Sequence, residues 1–194
     1  MGQHIVIIGG LASGKTTLAK YLEEVYGYKR IVTYTTRPIR KGEVEGKDYH
    51  FVDEVTFYKL MNAEFFFETT HYTTADGVWS YGSQISEYKE FERTIIVLNP
   101  SGAMLLKEPS FFVWLDIPLK VRMYRALERG DDPLEVARRL LADANDFSSK
   151  ELELLVESSG IRVTEPIELE DLAEYITYNL EEITSYLQGK KEND

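Results

Sequence analysis

The nine residues Gly9-Gly-Leu-Ala-Ser-Gly-Lys-Thr-Thr17 follow directly on the apolar run at 4–9 and satisfy the spacing G-x-x-x-x-G-K-[ST] at Gly9, Gly14, Lys15 and Thr16. Two glycines let the backbone turn so that successive N–H groups aim inward and oxygens approach closely. An ammonium at the lysine position reaches β- and γ-phosphates, and a hydroxyl at the next position is placed for Mg2+. Gly9, Gly10, Leu11, Ala12, Ser13, Gly14, Lys15, Thr16 and Thr17 are therefore the expected cradle for a nucleoside triphosphate, with Thr16 the expected metal ligand. A second group with chemical meaning is Arg37 and Arg40, followed by Tyr49. Guanidinium forks grip phosphate bidentately and a phenol completes such a shell; the same residues also read as a solvated basic turn.

These residues need strands and helices to hold them. The continuous β-branched run at 4–9 reads as a buried parallel strand, and 15–27 as a helix with Leu18, Leu22 and Val25 on its apolar stripe and Gly27 as its stop. Further strands are expected at 28–36, 65–74, 78–82, 93–99, 110–117 and 161–166, with Asp76-Gly77 turning a hairpin. Helices are expected at 55–64, from about Ser101, at 119–130 and at 169–187. One more, long, runs from the Asp132 N-cap, with Pro133 at its first position, to about Ser158. The tail 188–194 reads as frayed. Alternating strands and helices give an α/β fold, a three-layer sandwich on a central parallel sheet, interrupted by a hairpin-rich insert.

Composition narrows the partners. The 194 residues carry 33 Asp and Glu against 22 Lys and Arg, a net charge of −11, which argues against nucleic-acid and membrane-surface binding. With no cysteine, disulfides, thiolate catalysis and cysteine zinc sites are excluded. His4, His50 and His71 are scattered, and no apolar run is long enough to span a bilayer. No signal-peptide pattern opens the chain, so a cytoplasmic location is expected.

The stretch Thr35-Thr-Arg-Pro-Ile-Arg-Lys-Gly-Glu-Val-Glu-Gly-Lys-Asp-Tyr-His-Phe-Val52 resembles the signature of the guanylate kinases, and with the phosphate loop the similarity covers nearly the whole chain. The resemblance implies a P-loop NTPase fold of one domain: a core of about 1–32, 93–120 and 158–194, a GMP-binding insert of about 33–92, and a helical lid of about 121–157. It implies Mg-dependent transfer of the ATP γ-phosphoryl group to GMP, with small molecules as partners and a monomer or homodimer as the working unit. It places Thr33, Arg37, Arg40, Tyr49, Glu68, Tyr81, Ser83 and Asn99 around GMP, with Glu68 reading guanine. It assigns Lys15, Arg37, Arg125, Arg129 and Arg139 to catalysis, the last three from the lid, while Arg122 and Arg138 read as helix-surface salt-bridge residues. Two departures stand out: where the family has acidic residues this chain has Val97 and Asn99, and the loop at 69–82 is longer than usual. Val97 offers nothing to a metal, whereas the Asn99 side-chain oxygen is expected to accept a hydrogen bond from the base. Those departures motivate the alternatives of a related kinase acting on another nucleotide or a sugar phosphate, or an interaction module that no longer catalyses.

Overall fold

The computed structural model describes residues 3–40, 42–74, 77–84, 86 and 90–191. In chain order the elements are β1 (Gln3–Gly9), α1 (Lys15–Tyr26), β2 (Lys29–Arg30), β3 (Tyr34–Thr35), β4 (His50–Phe51), α2 (Glu54–Asn62), β5 (Phe66–Thr74), β6 (Gly77–Gln84), β7 (Arg93–Val97), α3 (Pro100–Leu105), β8 (Phe111–Leu115), α4 (Leu119–Glu128), α5 (Pro133–Asp146), α6 (Lys150–Ser159), β9 (Gly160–Val163) and α7 (Leu169–Lys191).

Period-two alternation along β1 builds the two faces of the core. Ile5 and Ile7 pack with Leu18 and Leu22 of α1 and with Leu172, Ile176 and Leu180 of α7. Val6 and Ile8 pack on the opposite side with Ala103 of α3 and Leu152 and Val156 of α6. All four β1 side chains are fully buried. The sheet runs β2-β7-β1-β8-β9, every pair parallel, so the loop after β1 emerges at the carboxyl end of the central strand.

A second sheet, ordered β4-β3-β6-β5, carries the insert. Its long hairpin pairs Glu68 with Ser83 and Thr70 with Tyr81, and β3 adds Thr35 beside Tyr81. Phe57 of α2 is fully buried and stacks on Phe66 at 4.9 Å between ring centroids. A third, small apolar cluster joins the phosphate loop to α4 and α5 through Leu11, Ala126, Val136 and Leu140.

The structure corrects several expectations. Residues 28–36 are not one strand: β2 belongs to the parallel sheet and β3 to the insert, with the chain crossing between sheets at 31–33. The single helix expected from Asp132 to about Ser158 is two, α5 and α6. Phe147 turns in to stack on Trp114 at 5.8 Å, and the Ser149 hydroxyl accepts the Leu152 N–H, starting a new helix. Val25 is exposed, and the buried stripe of α1 is Leu18, Ala19 and Leu22. α7 runs to Lys191, past the point where fraying was expected. The hairpin expected from strands at 65–74 and 78–82 is observed as β5 and β6, so the longer stretch at 69–82 is mostly regular strand; the turn residue Asp76 and residues 192–194 lie outside the described set. Asp132 caps α5 as expected, its carboxylate accepting the Leu134 and Glu135 N–H groups, and Gly27 ends α1 at φ 71°.

Candidate functional site

The phosphate loop takes its shape from two left-handed residues, Ala12 at φ 54° and Gly14 at φ 104°. Gly14 is the N-cap of α1, so the helix dipole points its positive end into the loop. Lys15 Nζ donates to the carbonyls of Gly9 at 2.6 Å and Gly10 at 2.7 Å. Burial, reinforced by Arg139, Arg122 and Arg129, lowers its pKa to about 8, while Asp143 works in the opposite direction. The Ser13 hydroxyl is buried without a hydrogen-bond partner, and Thr16 and Thr17 are exposed on the first turn of α1.

The second sheet and its loops bring Arg37, Tyr49 and Tyr81 together. Arg37 is buried, donating through Nη2 to Glu43 at 2.7 Å and through Nη1 to the Pro38 carbonyl at 2.7 Å. Its guanidinium lies 5.3 Å from the Tyr49 ring centroid, and the Tyr49 and Tyr81 rings meet edge-on at 5.9 Å. Arg40 is exposed; its N–H is tied to Glu43 at 2.8 Å, and its charge acts on Asp131 in the connection between α4 and α5. Thr33 is half-buried, and its carbonyl accepts the His50 N–H.

Glu68 is the buried carboxylate of this region, 8% exposed, beside the fully buried Ser83. A register shift between Phe66 and Glu68 sends Phe67 into the parallel-sheet core, while the Phe66 ring packs against Gly82. Burial raises the Glu68 pKa, opposed by the hydroxyls of Ser83 and Thr70. Ser83 Oγ meets no partner in full hydrogen-bonding geometry, whereas the Thr70 hydroxyl donates to Glu68 Oε2 at 3.3 Å.

Asn99 behaves differently from the expectation that its oxygen is available to a base. Its Oδ1 already accepts the Gly102 N–H at 2.7 Å, capping α3, and the Ser101 hydroxyl at 2.9 Å. Its amide donates to Thr70, so Asn99, Thr70 and Glu68 form a relay that fixes the carboxylate. Tyr72 also meets Asn99, and burial pushes its phenol up to about 12. Val97 packs its side chain on the core, as carbon must.

Arg129, just past the end of α4, and Arg139 of α5 lie within electrostatic reach of Lys15, and Arg139 also within reach of Tyr49 and Tyr72. Arg129 is itself paired with Asp131. Arg125 is exposed on α4, and among the described residues no salt bridge or side-chain hydrogen bond ties it to this group. Arg138 makes the expected helix-surface pair, with Glu135 at 3.0 Å. Arg122 does not: it reaches across to Asp143 of α5 at 2.6 Å, beside the phosphate loop. Sequence reading passed over Asp143, Thr70, Tyr72 and Glu43; the signal for Asp143 was its place one helical turn beyond Arg139.

A parallel sheet ending in a glycine-bounded lysine loop, faced by arginines from a helical hairpin, defines a P-loop nucleotide-binding protein. The chain belongs to the guanylate kinase family, whose family model matches residues 1–162. It is 32% identical over 149 residues to the guanylate kinase of Oleidesulfovibrio alaskensis, covering 72% of this chain and 70% of that one. Against the guanylate kinase of Chlamydia trachomatis serovar D it is 28% identical over 190 residues, covering 93% and 82%. The crystal structure of guanylate kinase from Anaplasma phagocytophilum superposes with a TM-score of 0.65 at 25% identity, covering 93% of this chain and 85% of the other. Membership makes the chain a kinase that uses ATP, and no helix among the described residues is long and apolar enough to cross a membrane.

Proposed function

We propose that this chain transfers the γ-phosphoryl group of Mg-ATP to GMP, releasing ADP and GDP. A GMP phosphate oxygen, already anionic, attacks the γ-phosphorus in line; the new P–O bond forms as the bond to the bridging β,γ-oxygen breaks, and the electron pair leaves on ADP. No general base is needed, so catalysis is placement plus charge stabilisation. Lys15 and the loop N–H groups hold the donor phosphates, and Arg129 and Arg139 meet the transferring group from the lid. Arg37, Arg40, Tyr49 and Tyr81 grip the acceptor phosphate. Arg125 keeps a lid role only if closure carries it inward.

The single observation that carries GMP as acceptor is the buried Glu68 carboxylate beside the unpartnered Ser83 hydroxyl. A carboxylate accepts from both the N1–H and the 2-amino group of guanine, neither of which adenine offers, and leaving it unpaired is expensive. A sugar phosphate gives Glu68 no such partner. Asn99 supports base binding through Thr70 rather than by its own oxygen.

The donor set for Mg2+ consists of the exposed Thr16 hydroxyl; Val97 adds no oxygen, and among the described residues no group of three His, Asp or Glu is placed to hold a metal ion. That set fits an ion that keeps several waters and takes its other ligands from phosphates. When bound, Mg2+ neutralises charge on the β- and γ-phosphate oxygens.

We take the insert as about 33–92 and the lid as about 121–157, and the working enzyme as a cytoplasmic monomer or homodimer. Phosphorus NMR of the protein with Mg-ATP and GMP tests the reading: resonances of ADP and GDP should grow together at the expense of ATP. Persistence of ATP, or ADP without GDP, would overturn it.

A further inference from the structure

The loop that cradles phosphate carries an anion of its own. Asp143 presents one oxygen, Oδ2, to two donors at once: the Leu11 N–H at 2.7 Å and Arg122 Nη1 at 2.6 Å. Arg122 is anchored again through Nε to the Ile117 carbonyl at 2.9 Å. The pair is pressed onto the loop, since a Cβ built on Gly10 would lie 2.2 Å from Arg122 Nη1 and 2.4 Å from Asp143 Oδ2. Leu11 meanwhile buries its side chain against Ala126, Val136 and Leu140, so α4 and α5 sit directly on the loop whose N–H Asp143 takes.

An oxygen that accepts from a loop amide and a guanidinium has the surroundings a phosphate oxygen seeks. Lys15, Arg122, Arg129 and Arg139 converge here, and Asp143 is the carboxylate whose charge offsets theirs at Lys15. Asp146 lies within electrostatic reach of Asp143, and burial together with that neighbour raises its pKa. Fixed in this place while a triphosphate occupied the loop, Asp143 would stand as a like charge beside it. The neighbours it holds are, by contrast, all cations or donors suited to phosphate.

We infer that Arg122 is a further ligand for the donor phosphates, and that Asp143 is the counter-anion it exchanges for them. The inference rests on the ATP-binding part of the kinase reading. As the triphosphate enters, its terminal oxygens take over Arg122 and Asp143 withdraws from the loop. Because Asp143 lies four residues beyond Arg139 on α5, the same withdrawal moves Arg139. Binding of donor and placement of a lid arginine are thereby one event.

Calorimetric titration of Mg-ATP into the wild type, Asp143→Asn and Arg122→Gln variants, without GMP, tests this. Removing the competing charge should tighten Mg-ATP binding about tenfold, and removing the guanidinium should weaken it about tenfold, the scale of one charge-assisted contact. In the double variant the gain from Asp143→Asn should be clearly smaller than in the wild-type background, because there is no Arg122 to release and only the relief of like-charge repulsion is left. Thermal melting followed by circular dichroism establishes that each variant folds, and Arg122→Lys replaces Arg122→Gln if that variant does not. Weaker binding in both single variants would make the pair a static clamp and overturn the inference; unchanged affinity in both would do so equally. A wild type that binds Mg-ATP but does not phosphorylate GMP would defeat the kinase reading and leave the exchange standing.

Discussion

Replacing Glu68 with glutamine separates the two consequences of burying that carboxylate. The side chain is 8% exposed, fixed by Thr70 and next to Ser83, and its glutamine variant fits the same space. With guanine bound, the carboxylate accepts two charge-assisted hydrogen bonds, each worth about 1.5–3 kcal/mol. Glutamine keeps one acceptor, now neutral, and turns the other oxygen into a donor facing a donor. The expected loss is about 3–4 kcal/mol, or roughly two to three orders of magnitude in kcat/KM for GMP. It should fall mainly on KM for GMP, because the attacking phosphate is gripped elsewhere, and KM for ATP should stay put. Stability should move the other way. Burial raises the Glu68 pKa above its ordinary 4.5, so in the folded state the ionised form is the disfavoured one. The group's contribution is complete below pH 4.5 and is lost as pH rises through the raised value. Glu68→Gln should therefore melt higher than wild type at neutral pH, with the gap closing on acidification. Steady-state kinetics at saturating ATP and melts at neutral and acid pH read both effects. An unchanged kcat/KM for GMP, or a loss shared equally by GMP and ATP, would mean that Glu68 does not read guanine.

Other consequences are as open to measurement. Lys15, at a pKa of about 8, is partly deprotonated in mild alkali, and phosphates favour its charged form. Mg-ATP binding should then take up protons at about pH 9 and almost none at about pH 6.5, seen by calorimetry in two buffers of different ionisation enthalpy. The same depression means that without nucleotide this group adds stability as pH rises from about 8 toward 10.5. Arg139→Gln, which removes a cation within electrostatic reach of both Lys15 and Tyr49, should lower kcat by about 10²–10³ with KM for GMP little changed, in stopped-flow or steady-state assays. Ser149→Ala removes the N-cap of α6 and should cost about 1 kcal/mol, a drop of roughly 2–4 °C in Tm, without altering either KM.

What could be read from the chain followed from how local each signal is. The apolar run of β1, the glycines and lysine after it, and the Asp132-Pro133 helix start are short-range patterns, and the structure reproduces each one. The division at 28–36 was hidden because Ile31, Val32 and Thr33 run β-branched through the crossing with no turn residue among them; only tertiary pairing assigns β2 and β3 to different sheets. The break at 147–149 was hidden because Phe147 leaves the helix to reach Trp114, a partner more than thirty positions away. Site residues behaved in the same manner. Lys15 and Arg37 sit in motifs and Glu68 directly follows the apolar run 65–67, whereas Asp143 acquires meaning only when α5 is laid on the phosphate loop. Asn99 shows the converse: its residue type suggested a base contact, and its hydrogen bonds give it a helix to cap and a neighbour to orient.

On the proposed function, the phosphate loop serves an acceptor chosen by Glu68. A coupled assay of ADP release from Mg-ATP, with GMP, dGMP, AMP, UMP and CMP offered in parallel, tests it most directly. Turnover confined to the guanine nucleotides is the predicted result, and it would show that Val97 and Asn99 are tolerated in a working enzyme. Faster turnover of AMP or a pyrimidine nucleotide than of GMP would contradict it.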